Sequence, residues 1–191
     1  MKRHPGTKTL QTPRLLLRRF TLADAPAMFE GWAGRPEVVR FMRYNAHESM
    51  DETRAILRGW AFAYEEEEDF YTWAVTLRET GALAGSIGFS IADGVPEPGY
   101  NLAPAFWGQG VAKEALAATL AYLVDEGGAG RFAACHAAAN PASGAVLRSA
   151  GFVPDGEGSY ESLDHTRVWP CIHYRLEAED LVRSVPYHLL G

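Results

Sequence analysis

The sequence predicts an α/β domain of three layers, with helices on both faces of a mixed sheet, and three observations carry that reading. Runs of alternating apolar character and runs of helical periodicity interleave along the whole chain, the pattern of a sheet covered by helices. Two alternating runs between residues 71 and 92 form a hairpin, so part of the sheet is antiparallel. After it a strand, a helix, a strand and a helix follow one another through glycine and Asn-Pro junctions. With 191 residues, 47% hydrophobic and 22% charged, the chain can bury one sizeable core. It reads as a single domain over 1–191, with its body from about residue 10 to 180.

In order, residues 14–20 (Arg-Leu-Leu-Leu-Arg-Arg-Phe) read as a first strand, and Thr21 with Asp24 gives a capping box for a helix reaching about Trp32. A short helical turn is expected at 36–42. Ser49 and Glu52 repeat the capping pattern and open a second long helix, with Ile56, Leu57, Trp60 and Tyr64 near one face, ending in the acidic run Glu65–Asp69. Tyr71, Trp73, Val75 and Leu77 alternate as in a half-buried strand. The turn at 79–81 leads to the hairpin's second arm, Leu83–Ala92. Prolines at 96, 98 and 104 make the next segment a short extended piece, not a long central strand. Alanines and leucines from Val111 to about Glu126 make a strong helix stopped by Gly127 and Gly128. Arg131–Ala137 is strand-like. Asn140 and Pro141 start another helix that Gly151 closes, and Val168–Glu177 belongs to a terminal strand pair.

Composition excludes several function classes. No run approaches the about 18 apolar residues of a membrane span, and the basic amino terminus has no apolar stretch behind it, so neither an anchor nor a secretory signal is expected and the default address is cytoplasmic. A net charge of −6 argues against nucleic acid and suits an amine-bearing partner. Cys135 and Cys171, both in strand-like segments, read as buried thiols rather than a disulfide.

The chemistry-bearing stretch is 105–115, Ala-Phe-Trp-Gly-Gln-Gly-Val-Ala-Lys-Glu-Ala, where Gly108 and Gly110 stand between an extended segment and a long helix. A helix start leaves N–H groups without intrahelical partners and carries partial positive charge, and glycines clear the approach for a phosphate. A nucleotide P-loop is ruled out because Lys113 is followed by Glu114 rather than Ser or Thr.

Four pieces in order resemble the GCN5-related N-acetyltransferases (GNAT), in the RimJ/RimL-like branch: residues 10–18, 99–104, 107–115, and Asn140-Pro-Ala-Ser143 with Ser149-Ala-Gly-Phe152. The resemblance spans nearly the whole chain. It implies the GNAT fold, a mostly antiparallel sheet splayed between its fourth and fifth strands, and acetyl transfer from acetyl-CoA to an amine. It also implies that the pantetheine arm lies along Asn101, Leu102 and Ala103, and that the pyrophosphate meets Gln109, Gly110, Val111, Ala112 and Lys113. Trp107 stands where the broad family has Arg or Gln and where this branch commonly has tryptophan.

An α-amine needs only about 1 kcal/mol to lose its proton at pH 7, a lysine roughly 4–5 kcal/mol, so a base matters most for lysine-like acceptors. Glu97, two residues before Gly99, matches the family's strand glutamate and is the candidate base. Ser143 matches the serine near the coenzyme's sulfur or pantetheine and is the candidate for protonating the thiolate, directly or through water, with Asn140 capping its helix. The family's helix tyrosine, a general acid in other branches, is replaced by Leu147, which leaves Ser143, water or Tyr160. Cys171 and His173 would share a strand face, but two donors make no metal site, and no metal is expected. His136 and His173 read as strand residues with local hydrogen bonds. Trp32, Phe41, Met42, Tyr44 and Trp60 lie where the family builds its acceptor pocket, most of them reading as core. The partners expected are acetyl-CoA and a protein amino terminus or small amine, with monomer and homodimer both open. The alternatives are a noncatalytic acyl-CoA-binding or sensing module, and a protein-interaction domain that keeps only the fold.

Overall fold

The computed structural model of the protein describes residues 4–190. Strands β1 (Thr9–Gln11) and β2 (Leu15–Arg18) pair antiparallel; the second is the strand expected from residue 14, the first was not foreseen. The helix expected from Thr21 to Trp32 is instead a chain of turns: a 3-10 turn at Leu22–Asp24, α1 (Ala25–Met28) and a π turn at Phe29–Ala33. Its capping box is present, Asp24 accepting the Thr21 N–H at 2.8 Å. Gly31 and Gly34 then weaken helical continuation, and the wider turn buries Trp32 and Ala33 together. The short turn expected near 36 is α2 (Pro36–Val39). α3 (Met50–Glu66) starts at Ser49, whose hydroxyl accepts the Glu52 N–H at 3.2 Å. It buries Leu57 and Tyr64 and leaves Ile56 exposed.

Strand alternation sets the layers. β3 (Tyr71–Leu77) sends Tyr71, Trp73 and Val75 into one core and Ala74 into the other. The first core also takes the buried face of α4 (Val111–Asp125), and the second takes Trp32, Leu57 and Tyr64. One sheet runs in the order β5-β4-β3-β2-β1-β9, where β4 is Leu83–Ala92, β5 is Val95–Leu102 and β9 is His188–Leu190. A second runs β6-β8-β7, where β6 is Arg131–Ala137, β7 is Val153–Glu161 and β8 is Val168–Glu177. All the hydrogen-bonded ladders among the described residues are antiparallel. The break falls between β5 and β6, the fourth and fifth strands of the sequence reading, which α4 connects. α5 (Pro141–Ser149) follows β6, with Asn140 as its cap. No helix among the described residues is long and apolar enough to cross a membrane.

β5 corrects one expectation. It is an eight-residue strand, not a short extended piece, despite its prolines. The Ala103 N–H bonds the Ala84 carbonyl at 2.8 Å, and the register pairs Asn101 with Ser86 and Leu102 with Gly85. Because successive residues of a strand point their backbone groups to opposite edges, residues 95, 97, 99, 101 and 103 bond β4 while 96, 98, 100 and 102 face β6. Both Pro96 and Pro98 fall on the β6 edge, so neither removes a donor from the β4 ladder, and neither can donate to β6.

Candidate active site

At the gap between β5 and β6 three elements surround a cavity of ≈ 600 Å³. Its walls are Tyr100, Asn101 and Leu102 of β5, Trp107, Gly108 and Gly110 of the loop with the first turn of α4, and Asn140, Ser143 and Val146 at the start of α5. Arg40, Phe41 and Met42, just past α2, close it from the other side. Of the expected site residues, Asn101, Leu102, Trp107, Gly110, Val111, Ala112, Lys113, Asn140 and Ser143 come together on this wall, while Glu97, Ala103 and Gln109 do not.

Backbone alternation refines how β5 can hold an extended ligand. Asn101 and Ala103 turn their backbone groups to β4: the Ala103 N–H is bonded to Ala84, and the Asn101 carbonyl lies so close to Gly85 that no side chain fits there. The backbone facing the gap therefore belongs to Leu102 and to Tyr100, which the sequence reading did not single out. The Leu102 carbonyl accepts the Trp107 indole N–H at 2.8 Å, so Trp107, although half exposed, ties the loop to the strand. Beyond it Gly108 and Gly110 take φ of 71° and 76°, left-handed values that only glycine adopts readily, and they turn the chain into α4. The N–H groups of the first turn, Val111 to Lys113, thus open on the cavity without intrahelical partners.

Across the gap, the Asn140 side chain caps α5, accepting the Ser143 N–H at 3.4 Å. The Tyr100 hydroxyl reaches the same turn, 2.9 Å from both the carbonyl and Oγ of Ser143. Burial holds the Tyr100 phenol well above the ordinary value, so it stays protonated and acts as a hydrogen-bond donor. Leu147, at the helix position of the family's tyrosine, is buried in the core. Tyr160 is also committed, its hydroxyl donating to the Phe41 carbonyl at 2.8 Å.

Glu97 lies on the opposite face of β5, the face of Asn101. Its Oε1 accepts from the Cys135 thiol of β6 at 3.4 Å. Burial, with the neighbouring Glu97 carboxylate, pushes the Cys135 thiol up to about 12, so Cys135 is no nucleophile near neutrality. On this face the Tyr44 hydroxyl accepts from the Asn101 side chain at 2.9 Å, and Cys171 Sγ lies 3.5 Å from His173 Nε2. The 41–45 segment is fastened to the β7–β8 hairpin: Leu163 N–H donates to the Arg43 carbonyl at 2.8 Å, and Arg167 Nη2 to Asn45 Oδ1 at 2.6 Å. Thus Phe41, Met42 and Tyr44 edge the site, whereas Trp32 is core and Trp60 packs on Phe20. His136 has the local bonds expected, to the Ala137 carbonyl at 2.8 Å and Tyr174 at 3.2 Å. Nothing local in the sequence marks Tyr100 as a partner of Ser143; its alternate placement with Leu102 is the one available signal.

The acetyltransferase (GNAT) domain family matches residues 14–153. A Bacillus subtilis (strain 168) protein named as an uncharacterized N-acetyltransferase, YoaA, is 31% identical over 150 residues, which cover 77% of this chain and 84% of that protein. Among solved structures, a GNAT-family acetyltransferase from Bacillus anthracis superposes with a TM-score of 0.77 at 23% identity, covering 90% of this chain and 99% of that one. The Microcin C7 self immunity acetyltransferase MccE, solved in complex with acetyl-CoA and AMP, shares the fold with a TM-score of 0.74 at 16% identity, covering 86% of this chain and 93% of its own.

Proposed function

This chain belongs to the GNAT acetyltransferase family, and on that premise we propose that it transfers the acetyl group of acetyl-CoA to a primary amine, by direct attack while both are bound. The observation that carries the reading is the ≈ 600 Å³ cavity, which joins the free edge of β5, the glycine loop and the start of α5 in one groove. An extended pantetheine arm fits the open edge of β5 along Tyr100 and Leu102. The pyrophosphate fits the N–H groups from Gly110 to Lys113, where the partial positive charge of α4 favours an anion. Asn101, Ala103 and Gln109 support this groove from behind rather than through their own backbone groups on its wall.

The acceptor approaches from the face of β5 that carries Glu97, where the carboxylate takes the proton of the attacking amine through water. The nitrogen then bonds the acetyl carbon, the carbon–sulfur bond breaks, and the departing thiolate is met by the Ser143 hydroxyl at the head of α5. Tyr100 fixes that hydroxyl. Because its own proton is held tightly, the proton that finally neutralises the sulfur comes from the amine by way of solvent or Glu97. The acceptor is a protein amino terminus or a small amine.

The test is thiol release from acetyl-CoA by the purified protein in the presence of peptides with free α-amines, lysine-containing peptides and small polyamines. Amine-dependent release with acetylated product is expected. Absence of acetyl-CoA binding sinks the reading, and binding with no turnover on any amine supports the noncatalytic acyl-CoA module that Leu147 would suit.

A further inference from the structure

We propose that Arg14 is a positioning residue for the coenzyme, holding the peptide between Gln109 and Gly110 in the orientation that presents an N–H to the diphosphate. This rests on placing the diphosphate at the glycine loop. Arg14 stands just before β2, far from the loop in sequence, yet its Nη1 donates to the Gln109 carbonyl at 2.9 Å. A trans peptide is planar, with its C=O and N–H pointing in opposite directions. With the Gln109 carbonyl fixed against Arg14, the Gly110 N–H of that peptide is turned the other way, toward the cavity that Gly110 lines. Glycines with positive φ at 108 and 110 leave Gln109 between two pliant joints, so the peptide needs an outside anchor. A flipped peptide would put a carbonyl oxygen where an anion must sit.

The anchor is itself held firmly. Arg14 Nε donates to Glu114 Oε2 at 2.6 Å, and Glu114 Oε1 accepts from the Arg14 N–H at 2.9 Å and the Thr12 hydroxyl at 2.6 Å. Glu114 is buried while the Arg14 side chain is half exposed, so the carboxylate serves as the inner post and the guanidinium spans from it to the loop. The same pair cancels a charge problem. Glu114 lies in the first turn of α4, where an unpaired carboxylate would oppose a phosphate, and Arg14 neutralises it. The fork of the guanidinium matters, since a lysine has the charge but cannot bridge Glu114 and the Gln109 carbonyl in fixed geometry.

The test compares dissociation constants for coenzyme A and for pantetheine, which has the arm without the diphosphate, in the native protein and in Arg14→Lys and Arg14→Gln. Each ratio is taken within one preparation, so partial unfolding cancels. The expected result is a coenzyme A constant raised about tenfold in Arg14→Lys, the loss of one charge-assisted hydrogen bond, with the pantetheine constant unchanged, and a larger rise in Arg14→Gln. Equal shifts for both ligands, or none for either, overturn the proposal. If the native protein itself binds pantetheine as tightly as coenzyme A, the diphosphate is not at the loop, and the reading beneath the proposal fails first.

Discussion

Glu97 and Tyr100 are three positions apart on one strand and therefore lie on opposite faces of it, which in the proposed mechanism divides the chemistry between them. If Glu97 deprotonates the acceptor, its loss should matter more for a reluctant amine than for a willing one. Glu97→Gln is expected to lower kcat/KM by about 100-fold or more on a lysine-like amine, the range of general-base catalysis, and by clearly less on an α-amine. Rates of both acceptors across pH check this, and an equal loss on both removes Glu97 as the base. In the proposed mechanism Tyr100 acts through Ser143, whose Oγ lies 2.9 Å from its hydroxyl. Tyr100→Phe should lower kcat while leaving KM for acetyl-CoA nearly unchanged, because the ring that walls the groove is kept. Combined with Ser143→Ala it should add little, since the two hydroxyls form one unit. Steady-state kinetics of the two single variants and the double variant decide it.

Among the elements, α4 is tied by Glu114 to Thr12 and Arg14 in the turn that leads into β2, and that tie sets a pH window. Burial pushes the Glu114 carboxyl up, but hydrogen bonds from Thr12, from the Arg14 N–H and from its guanidinium outweigh burial and hold it below the ordinary 4.5. A carboxyl lowered in the folded state stabilises the fold above the ordinary value, and that contribution fades as pH falls through the lowered one. The native protein should therefore melt above Glu114→Gln at pH 7, with the difference closing as pH falls below 4.5. Melting curves of both proteins across acid pH measure it. Elements of this kind differ in how far sequence reveals them. α3, α4, α5 and the β3–β4 hairpin were legible because caps, glycines and periodicity are local signals. β7 was legible only as the unplaced partner in the terminal strand pair, since its Val-Pro-Asp-Gly-Glu-Gly-Ser-Tyr-Glu run is almost wholly exposed without alternation and pairs with β8. β1 and β9, each of three residues, are strands through pairing: β9 with β1, and β1 with β2. The site divides the same way. The glycine loop and the Asn140 cap were written in adjacent residues, while Tyr100 against Ser143 and Arg14 against Gln109 depend on contacts across 43 and 95 residues.

At the scale of the whole molecule, the two sheets meet at a seam without rungs. If a bound pantetheine arm takes the gap-facing groups of Tyr100 and Leu102, it completes the missing strand, and a saturating cofactor should stabilise the whole fold. At 100 times its dissociation constant the gain is about 2.7 kcal/mol. For a chain of this size that is a rise in Tm of roughly 5–10 °C, readable by thermal melts with and without acetyl-CoA. The prolines of β5 give the seam a further meaning. A molecule judged by stability alone would zip β5 onto β6 and seal the opening. Pro96 and Pro98 withhold two of the donors such a closure would use, at a cost in resistance to unfolding. Pro96→Val with Pro98→Val should then yield a protein that melts higher and turns over less, having healed the one wound its catalysis depends on.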